Sequence, residues 1–412
     1  MWIKSTEIKN LTNLLILNGP MIFMSLTALM GMRFDREEGA GGVYKAYMVM
    51  LFIFGVLPIL KKVITGHFSS KFVLPLFVIS VFIAVGLIQQ LDSSFLLQMG
   101  CFAVPAICVA LTMDQKTGLI GMMKWFELLL PLFAISFIFL IRNMMFVKLE
   151  GEVNSYDQSA SYYAAFLFII DIYILRYKNY CQSFAFLDHK WFLFFKIFML
   201  PYLLVVCFFA GGRGAVVLII ISLIFQANLL KKLPVHYYGK GCLIVIVLSI
   251  VVYFGIGKLS IDYFDLLEHN YERISALVEG GHIDTSASSG RDNIWKDAID
   301  TWASSPLIGY GLFSYLDFFY IRPHNIFLEV MLQGGLVLLS ILCYILLRTF
   351  IKYRKLLRTD HNQVFLMPFL LFTFVELSLS GSYWFEPFFW FVLVYIYNYS
   401  FKKQVNVIKP NN

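Results

Sequence analysis

Apolar residues run along the chain in continuous blocks of about 17–25 residues, the length with which a helix crosses roughly 30 Å of bilayer hydrocarbon. These blocks lack the strict polar–apolar alternation that is typical of a lipid-facing strand, so they predict helices rather than a β-barrel. We predict membrane-spanning helices near residues 12–31, 45–60, 72–90, 94–113, 120–141, 159–175, 191–210, 213–229, 241–260, 324–350, 364–380 and 383–401.

The composition supports this membrane interpretation. Hydrophobic residues make up 59% of the 412 residues and charged residues only 14%, which is too little charge for the surface of a water-soluble domain. The predicted fold class is therefore an all-α polytopic membrane protein with about twelve transmembrane helices. The formal net charge of +7 is small and dispersed, so we expect no nucleic-acid partner.

The first apolar run extends well past a short signal-peptide core and lacks a small-residue cleavage site, so we expect no cleavable signal. The six cysteines lie in apolar spans or short connections without a C-x-x-C pair, which predicts free thiols rather than disulfides or a metal site.

Positive residues determine the predicted orientation. With the N-terminus inside, the inner connections carry most of the basic residues, as the positive-inside rule requires. These are Lys61, Lys62, Lys71, Lys116, Arg176, Lys178, Lys190, Lys231, Lys232, Lys240, Arg348, Lys352, Arg354, Lys355, Arg358, Lys402 and Lys403. We predict nine helices in residues 1–259, a large outer loop in residues 260–323, and three helices with a cytoplasmic tail in residues 324–412.

The large outer loop contains a predicted surface helix from Arg291 to about residue 304. Trp295, Ile299 and Trp302 recur at helical spacing and form one apolar face, which is typical of an amphipathic helix with tryptophans in the membrane interface. Long loops of this kind usually serve as lids or binding elements, so we expect the chemistry of the protein to lie here.

Two arginines are candidate anion ligands on the outer side. Arg213 lies in Gly211-Gly212-Arg213-Gly214 at the joint between the seventh and eighth spans, where flanking glycines would let an anion approach closely. Arg291 opens the surface helix, where a bound anion would offset the conflict between a cation and the helix dipole. The alternatives are a snorkelling arginine at the first position and a solvated surface arginine at the second.

The third candidate is Arg322-Pro323-His324-Asn325, which directly precedes the tenth span. The helix N-terminus disfavours a charged imidazolium, so His324 would stay neutral and able to accept a proton. Asn325 is a good N-cap that would orient the ring or a substrate hydroxyl, and Arg322 would bind an anion or neutralise Asp317. The alternative for His324 is an interfacial histidine that only caps a helix.

Acidic residues near the outer side are weaker candidates. They are Asp157, Glu329, Glu376 and Glu386, which would bind sugar hydroxyls or pair with the arginines. The chain has no D-x-D pattern, no P-loop and no His/Cys cluster with ligand spacing, so we expect neither a metal nor a cofactor.

The loop sequence resembles a known family. From Ser289 it reads S-G-R-D-N-I-W-K-D-A-I-D-T-W-A-S-S-P-L-I-G-Y-G-L-F, and from His324 it reads H-N-I-F-L-E-V-M-L-Q-G-G. Both runs are similar to the O-antigen polymerase and O-antigen ligase family of bacterial membrane glycosyltransferases, and the Gly-Arg-Gly joint at Arg213 is similar to an arginine of that family.

This resemblance implies a GT-C-type fold in the bacterial inner membrane and a periplasmic active site. It implies metal-independent, inverting transfer of a glycan from an undecaprenyl-diphosphate carrier, with a flippase and a chain-length regulator as further partners. Arg213 and Arg291 would stabilise the diphosphate and His324 would act as general base. Substrate contacts are then expected from Asn325, Arg322, Trp295, Glu329 and Asp157.

Several functions fit the sequence. The S-P-L-I-G-Y-G-L-F run and the compact His324-Asn325 pair look more like a polymerase than a ligase that transfers glycan to the lipid A core. A transporter or flippase of lipid-linked sugars would need polar residues at the membrane midplane, where these spans carry few charges. A membrane scaffold would tolerate the loss of Arg291 or His324.

Overall fold

The computed structural model describes residues 5–30, 41–65, 73–91, 93–149, 156–178, 184–210, 212–230, 291–319 and 323–399. Within these ranges every regular element is helical, which confirms the predicted all-α fold class. The α-helices are α1 Ser5–Leu17, α2 Gly19–Leu29, α3 Gly41–Ile64, α4 Val73–Ile88, α5 Ser93–Thr112, α6 Gly118–Leu149, α7 Tyr156–Arg176, α8 Lys190–Phe209, α9 Arg213–Leu230, α10 Arg291–Ala303, α11 Tyr315–Phe318, α12 Ile326–Thr359, α13 Met367–Leu379 and α14 Pro387–Asn398. Short 3-10 helices cover Ala185–Asp188 and His361–Leu366.

Among the described helices, seven are long and apolar enough to cross a membrane, and eight if the bent pair α1–α2 counts as one span. Three shorter apolar helices, Val73–Ile88, Gly214–Gln226 and Pro387–Asn398, coincide with further predicted spans. The ninth predicted span, residues 241–260, lies outside the described residues, and so does the part of the predicted outer loop that precedes residue 291. The chain is thus a multi-pass membrane protein, and the count of twelve spans is not confirmed.

The first predicted span differs from a straight helix. Its two halves, α1 and α2, meet at an angle of 83°. The bend falls at Asn18, and Pro20 lies in the first turn of α2. Proline has no N–H to continue the hydrogen-bond ladder and its ring clashes with the preceding turn, which explains the break.

The helices alternate between two ends of one bundle. One end is called here the His324 end. At this end the start of α5 contacts the segment after α10, where the rings of Phe95 and Phe313 meet edge-to-face at 5.6 Å. At the opposite end, Lys9 Nζ on α1 donates to the carbonyl of Thr112 at the end of α5. This alternation follows the predicted order of crossings, while the outward orientation of the His324 end remains a prediction.

Helix α12 is broken where the sequence reads Gly334-Gly335, and Gly335 adopts a positive φ of 58°. The loop Pro306–Gly311, called here the inserted loop, pairs with the break through four backbone hydrogen bonds. They are Tyr310 N to Leu332 O at 2.8 Å, Gly311 N to Gln333 O at 2.9 Å, Leu336 N to Pro306 O at 2.9 Å, and Val337 N to Leu307 O at 3.2 Å. The groups that the broken ladder frees are therefore satisfied by the loop.

Glycine is required on both sides of this pairing. A Cβ on Gly309 would lie 2.6 Å from the carbonyl oxygen of Leu332, and one on Gly335 would lie 2.4 Å from the carbonyl of Leu307. Both glycines also have positive φ, a conformation that side chains with a Cβ rarely adopt. The glycines of the two family-like runs thus allow two stretches of backbone to touch.

The surface helix α10 begins at Arg291 as predicted, but its inward face differs from the prediction. Ala298 is buried against Tyr315 and Leu332, whereas Ile299 is exposed. The small alanine allows α10 to approach α12, so the packed face is centred one residue earlier than the three large apolar residues indicated.

Both tryptophans of α10 form hydrogen bonds with backbone carbonyls of the segment that follows the helix. Trp295 Nε1 donates to the carbonyl of Pro323 at 2.8 Å, and Trp302 Nε1 donates to the carbonyl of Pro306 at 3.1 Å. The indole N–H groups therefore tie α10 to the segment that follows it, and the placement of these tryptophans in the membrane interface stays a prediction.

We expect Gly335→Ala to destabilise the protein. The positive φ alone costs about 1–3 kcal/mol for a residue with a Cβ, and the contact with Leu307 adds to this. Thermal unfolding of the purified protein in detergent should show a clear fall in Tm. Gly100→Ala is the matched control, because a Cβ there meets only Ile83 at 4.0 Å. An unchanged Tm for Gly335→Ala would contradict the close pairing.

Candidate active site

His324 lies directly before α12, in residues 323–325, which are called here the His324 link. Its Nδ1 is 2.7 Å from the carbonyl oxygen of Ser380. A carbonyl oxygen only accepts hydrogen bonds, so Nδ1 carries the hydrogen in this contact. In the neutral ring Nε2 then bears a lone pair, which is the arrangement that a general base needs.

The backbone at His324 is strained, with a φ of 53°. A positive φ is uncommon outside glycine, and residues held in this way cluster at functional sites. Two contacts hold the link in place: the Ser380 carbonyl accepts from the ring, and the preceding carbonyl of Pro323 accepts from Trp295.

Asn325 caps α12. Its Oδ1 accepts from the backbone N–H groups of Phe327 at 2.9 Å and Leu328 at 3.3 Å. Its Nδ2 donates to the carbonyl of Ser378 at 3.1 Å, at the end of α13. Both ends of the amide thus bond to the main chain, which confirms the N-cap, and the role of Asn325 in orienting the ring or a substrate hydroxyl stays a prediction.

The turn between α13 and α14 is bound to the first two turns of α12. Ser382 Oγ donates to Glu329 Oε1 at 2.8 Å, and the hydroxyl of Tyr383 donates to Gln333 Oε1 at 2.7 Å. Glu329 is fully buried, so it lies beneath the site rather than on its surface. Its predicted contact with substrate remains a prediction, and the geometry gives it a supporting role.

Two further carboxyl groups lie behind the same turn. Glu376, near the end of α13, and Glu386, which caps α14, are close enough to interact electrostatically. Glu386 also accepts from the backbone N–H of Phe388 at 2.9 Å.

Arg213 is the first residue of α9, and the structure explains the glycines beside it. A Cβ on Gly212 would lie 2.6 Å from Cβ of Ser161, and one on Gly214 would lie 1.7 Å from the hydroxyl of Tyr162. Helix α7 therefore occupies the space at both glycines. Their observed role is close helix packing, and the approach of an anion at this joint stays a prediction.

Tyr162 connects this joint to His324. Its hydroxyl lies 3.0 Å from Oγ of Ser380, the same residue whose carbonyl holds the His324 ring. The N-terminus of α9 and the His324 link therefore meet on opposite sides of Ser380.

The N-terminus of α10 reaches the same place. Arg291 is its first residue, and Trp295, one turn later, donates to the carbonyl of Pro323. Three helix N-termini are thus connected to the His324 link: α12 directly, α10 through Trp295, and α9 through Tyr162 and Ser380. Helix N-termini carry partial positive charge and favour bound anions such as phosphate.

The structure describes only the backbone at three predicted site residues. Arg213 and Arg291 begin their helices and Asp157 lies in the first turn of α7, but their side chains are outside the described parts of the chain. Arg322 lies wholly outside the described residues. Within the described ranges, no group of three His, Cys, Asp or Glu side chains is placed to hold a metal ion.

The sequence interpretation missed Tyr162 and Ser380. Tyr162 lies in an ordinary apolar span, and its partner is 218 residues away, so no local pattern reveals the contact. The polar run Ser380-Gly381-Ser382 between two apolar spans was the available signal.

A separate buried polar cluster lies in the body of the bundle. Lys196 of α8 forms an ion pair with Glu127 of α6, and both side chains are fully buried. Asp171 of α7 is also fully buried, and its carboxyl interacts electrostatically with both.

Comparison with known proteins identifies one related family. Residues 198–343, about a third of the chain, match a family model described as O-antigen ligase. This match confirms the predicted resemblance to the O-antigen ligase and polymerase family, and it does not distinguish a polymerase from a ligase. The matched range contains Arg213, Arg291 and His324. No curated protein and no solved structure matched the chain in the other two comparisons.

We expect Asn325→Ala to lower the stability of the protein by about 0.5–2 kcal/mol, the usual cost of losing an N-cap. The bond to Ser378 is lost as well, so the effect should lie toward the upper end of that range. Thermal unfolding in detergent measures it. Asn293→Ala is the matched control, since Asn293 is exposed on α10, and an equal Tm for the two variants would contradict the capping role.

Proposed function

We propose that the protein is a membrane glycosyltransferase of bacterial surface-polysaccharide synthesis, and that it acts as a polymerase of lipid-linked repeat units. The carrying observation is the contact between His324 Nδ1 and the Ser380 carbonyl, which leaves Nε2 of the neutral ring as a proton acceptor. The family match over residues 198–343 supports the same class of reaction.

In the proposed reaction, a hydroxyl of the acceptor glycan attacks the anomeric carbon of the donor glycan while His324 Nε2 takes the hydroxyl proton. The bond between the anomeric carbon and the diphosphate oxygen breaks, and the diphosphate of the undecaprenyl carrier leaves with the electron pair. Attack from the face opposite the leaving group inverts the anomeric centre.

The leaving diphosphate carries the charge that the site must stabilise. The N-termini of α9 and α10 are both joined to the His324 link, and each helix begins with an arginine, Arg213 or Arg291. We infer that these two guanidinium groups hold the diphosphate, because arginine binds phosphate through paired N–H donors. Trp295, Asp157 and Arg322 remain proposed contacts to the substrate.

An apolar cavity beside the site supports a lipid-linked donor. The cavity has a volume of about 560 Å³ and lies between α9, α12, α13 and α14. Its lining reaches from Phe327 and Ser378, at the His324 end, to Phe350 and Tyr353 farther along α12. A polyprenyl chain in this cavity would place its diphosphate near His324.

A ligase is the second candidate, because the family match does not distinguish the two activities. The two activities share the donor and the transfer step and differ in the acceptor, which is another lipid-linked unit for a polymerase and the lipid A core for a ligase. A transporter has less support, since the buried charges of Glu127, Asp171 and Lys196 are fully enclosed by packed helices.

The proposed location is the bacterial inner membrane, with the His324 end facing the periplasm. A flippase that delivers the donor to that face and a chain-length regulator are the expected partners of a polymerase.

We expect His324→Ala to abolish polymer formation at normal protein abundance, because the proton acceptor is lost. A deletion strain complemented with each variant is examined by gel analysis of its surface polysaccharide. His189→Ala is the control, since His189 is an exposed histidine at the start of α8. Long chains made by His324→Ala would rule out the catalytic role.

The same gels separate the two candidate activities. Single repeat units on the lipid A core indicate a lost polymerase, and polymer that stays on the carrier lipid indicates a lost ligase.

We expect lysine at position 213 or 291 to retain more activity than alanine, because lysine keeps a positive charge near the diphosphate but loses the paired donors of arginine. The comparison uses Arg213→Lys with Arg213→Ala, and Arg291→Lys with Arg291→Ala, in the complemented strain. Equal activity of lysine and alanine at both positions would argue against the proposed charge role.

A further inference from the structure

We propose that Tyr162 and Ser380 are positioning residues, which fix the orientation of the general base His324 relative to the N-terminus of α9. The inference rests on the proposed function, since it assigns His324 as the base. Neither residue is required to touch the substrate.

The first step is the packing of Tyr162. Its side chain is buried, its ring meets Phe372 of α13 edge-on at 6.2 Å, and its hydroxyl fills the space that a Cβ on Gly214 would take. The hydroxyl is therefore fixed against the first turn of α9, directly after Arg213. A side chain confined on so many sides has few alternative rotamers.

The second step is the hydrogen bond to Ser380. The Tyr162 hydroxyl lies 3.0 Å from Ser380 Oγ, and the carbonyl of Ser380 accepts from His324 Nδ1 at 2.7 Å. Ser380 follows the last residue of α13, and its backbone N–H donates to the carbonyl of Glu376 at 2.7 Å. The side chain of Ser380 thus anchors a turn whose carbonyl sets the angle of the imidazole ring.

Loss of the Tyr162–Ser380 contact should change the orientation of the His324 ring more than the affinity for the substrate. Catalysis by a general base requires its nitrogen to lie within hydrogen-bond reach of the proton that it removes, and small displacements reduce the rate strongly. Without the Tyr162 hydroxyl, the Ser380 carbonyl loses one of its anchors while the anion-binding arginines stay in place. We therefore expect a lower kcat at an unchanged KM.

The test uses the full-length enzyme in lipid nanodiscs, with undecaprenyl-diphosphate-linked oligosaccharide extracted from the deletion strain as substrate. Tyr162→Phe removes only the hydroxyl, and Ser380→Ala removes its partner. Each should lower kcat by about 2- to 10-fold, the effect of losing one net hydrogen bond. The double variant should be no slower than the slower single variant, because both changes remove the same contact.

Tyr173→Phe is the matched control. Tyr173 is a buried tyrosine on the same helix, and its hydroxyl has no hydrogen-bond partner among the described residues, so this variant should keep the wild-type kcat. Unchanged Tm values for Tyr162→Phe and Ser380→Ala would exclude a general loss of folding, and Ser380→Thr should restore activity lost in Ser380→Ala.

The outcomes are distinguishable. If Tyr162→Phe keeps the wild-type kcat while His324→Ala is inactive, the positioning proposal is overturned and the proposed function stands. A change in KM alone, or additive losses in the double variant, would also overturn it. If His324→Ala keeps its activity, the proposed function fails and the positioning role fails with it.

Discussion

The candidate site depends on backbone hydrogen bonding at the break in α12. A helix interrupted among apolar neighbours exposes carbonyl and N–H groups, and an unsatisfied group of this kind costs several kcal/mol in a membrane. The inserted loop Pro306–Gly311 supplies partners for Leu332, Gln333, Leu336 and Val337. This pairing fixes the register of the inserted loop against α12, and the His324 link directly precedes α12.

The site is consequently held by main-chain geometry on one side and by a ladder of side chains on the other. Three side chains of α12 form hydrogen bonds with the end of α13 and the turn after it. Asn325 bonds to Ser378, Glu329 to Ser382, and Gln333 to Tyr383. A strained φ at His324 persists because both neighbours constrain it. The arrangement fits the proposed reaction, which needs a fixed base and positive potential from helix N-termini at the leaving diphosphate.

Much of the fold follows from local properties of the chain. The length of each apolar block predicts a crossing, and the long apolar helices of the described ranges overlap the spans predicted there, whereas the bend at Asn18 depends on the single residue Pro20. Arg213, Arg291 and His324 were candidates from the sequence because each lies at or just before a predicted helix start, and the structure has helices beginning there. The partners of His324 were not, because Ser380 and Tyr162 are ordinary residues brought together by packing. The packing role of the glycines beside Arg213 could not be predicted for the same reason, since the neighbouring helix α7 leaves no trace in the local sequence.

The partner of the His324 ring is a main-chain carbonyl, and every residue type has one. Replacing the side chain at position 380 can loosen this contact but cannot delete it. An insertion or deletion between the end of α13 and Ser380 would displace it, because a different residue's carbonyl would then face the ring. The orientation of the proposed base is thus set by the residue count at the end of a helix as well as by the identity of a side chain.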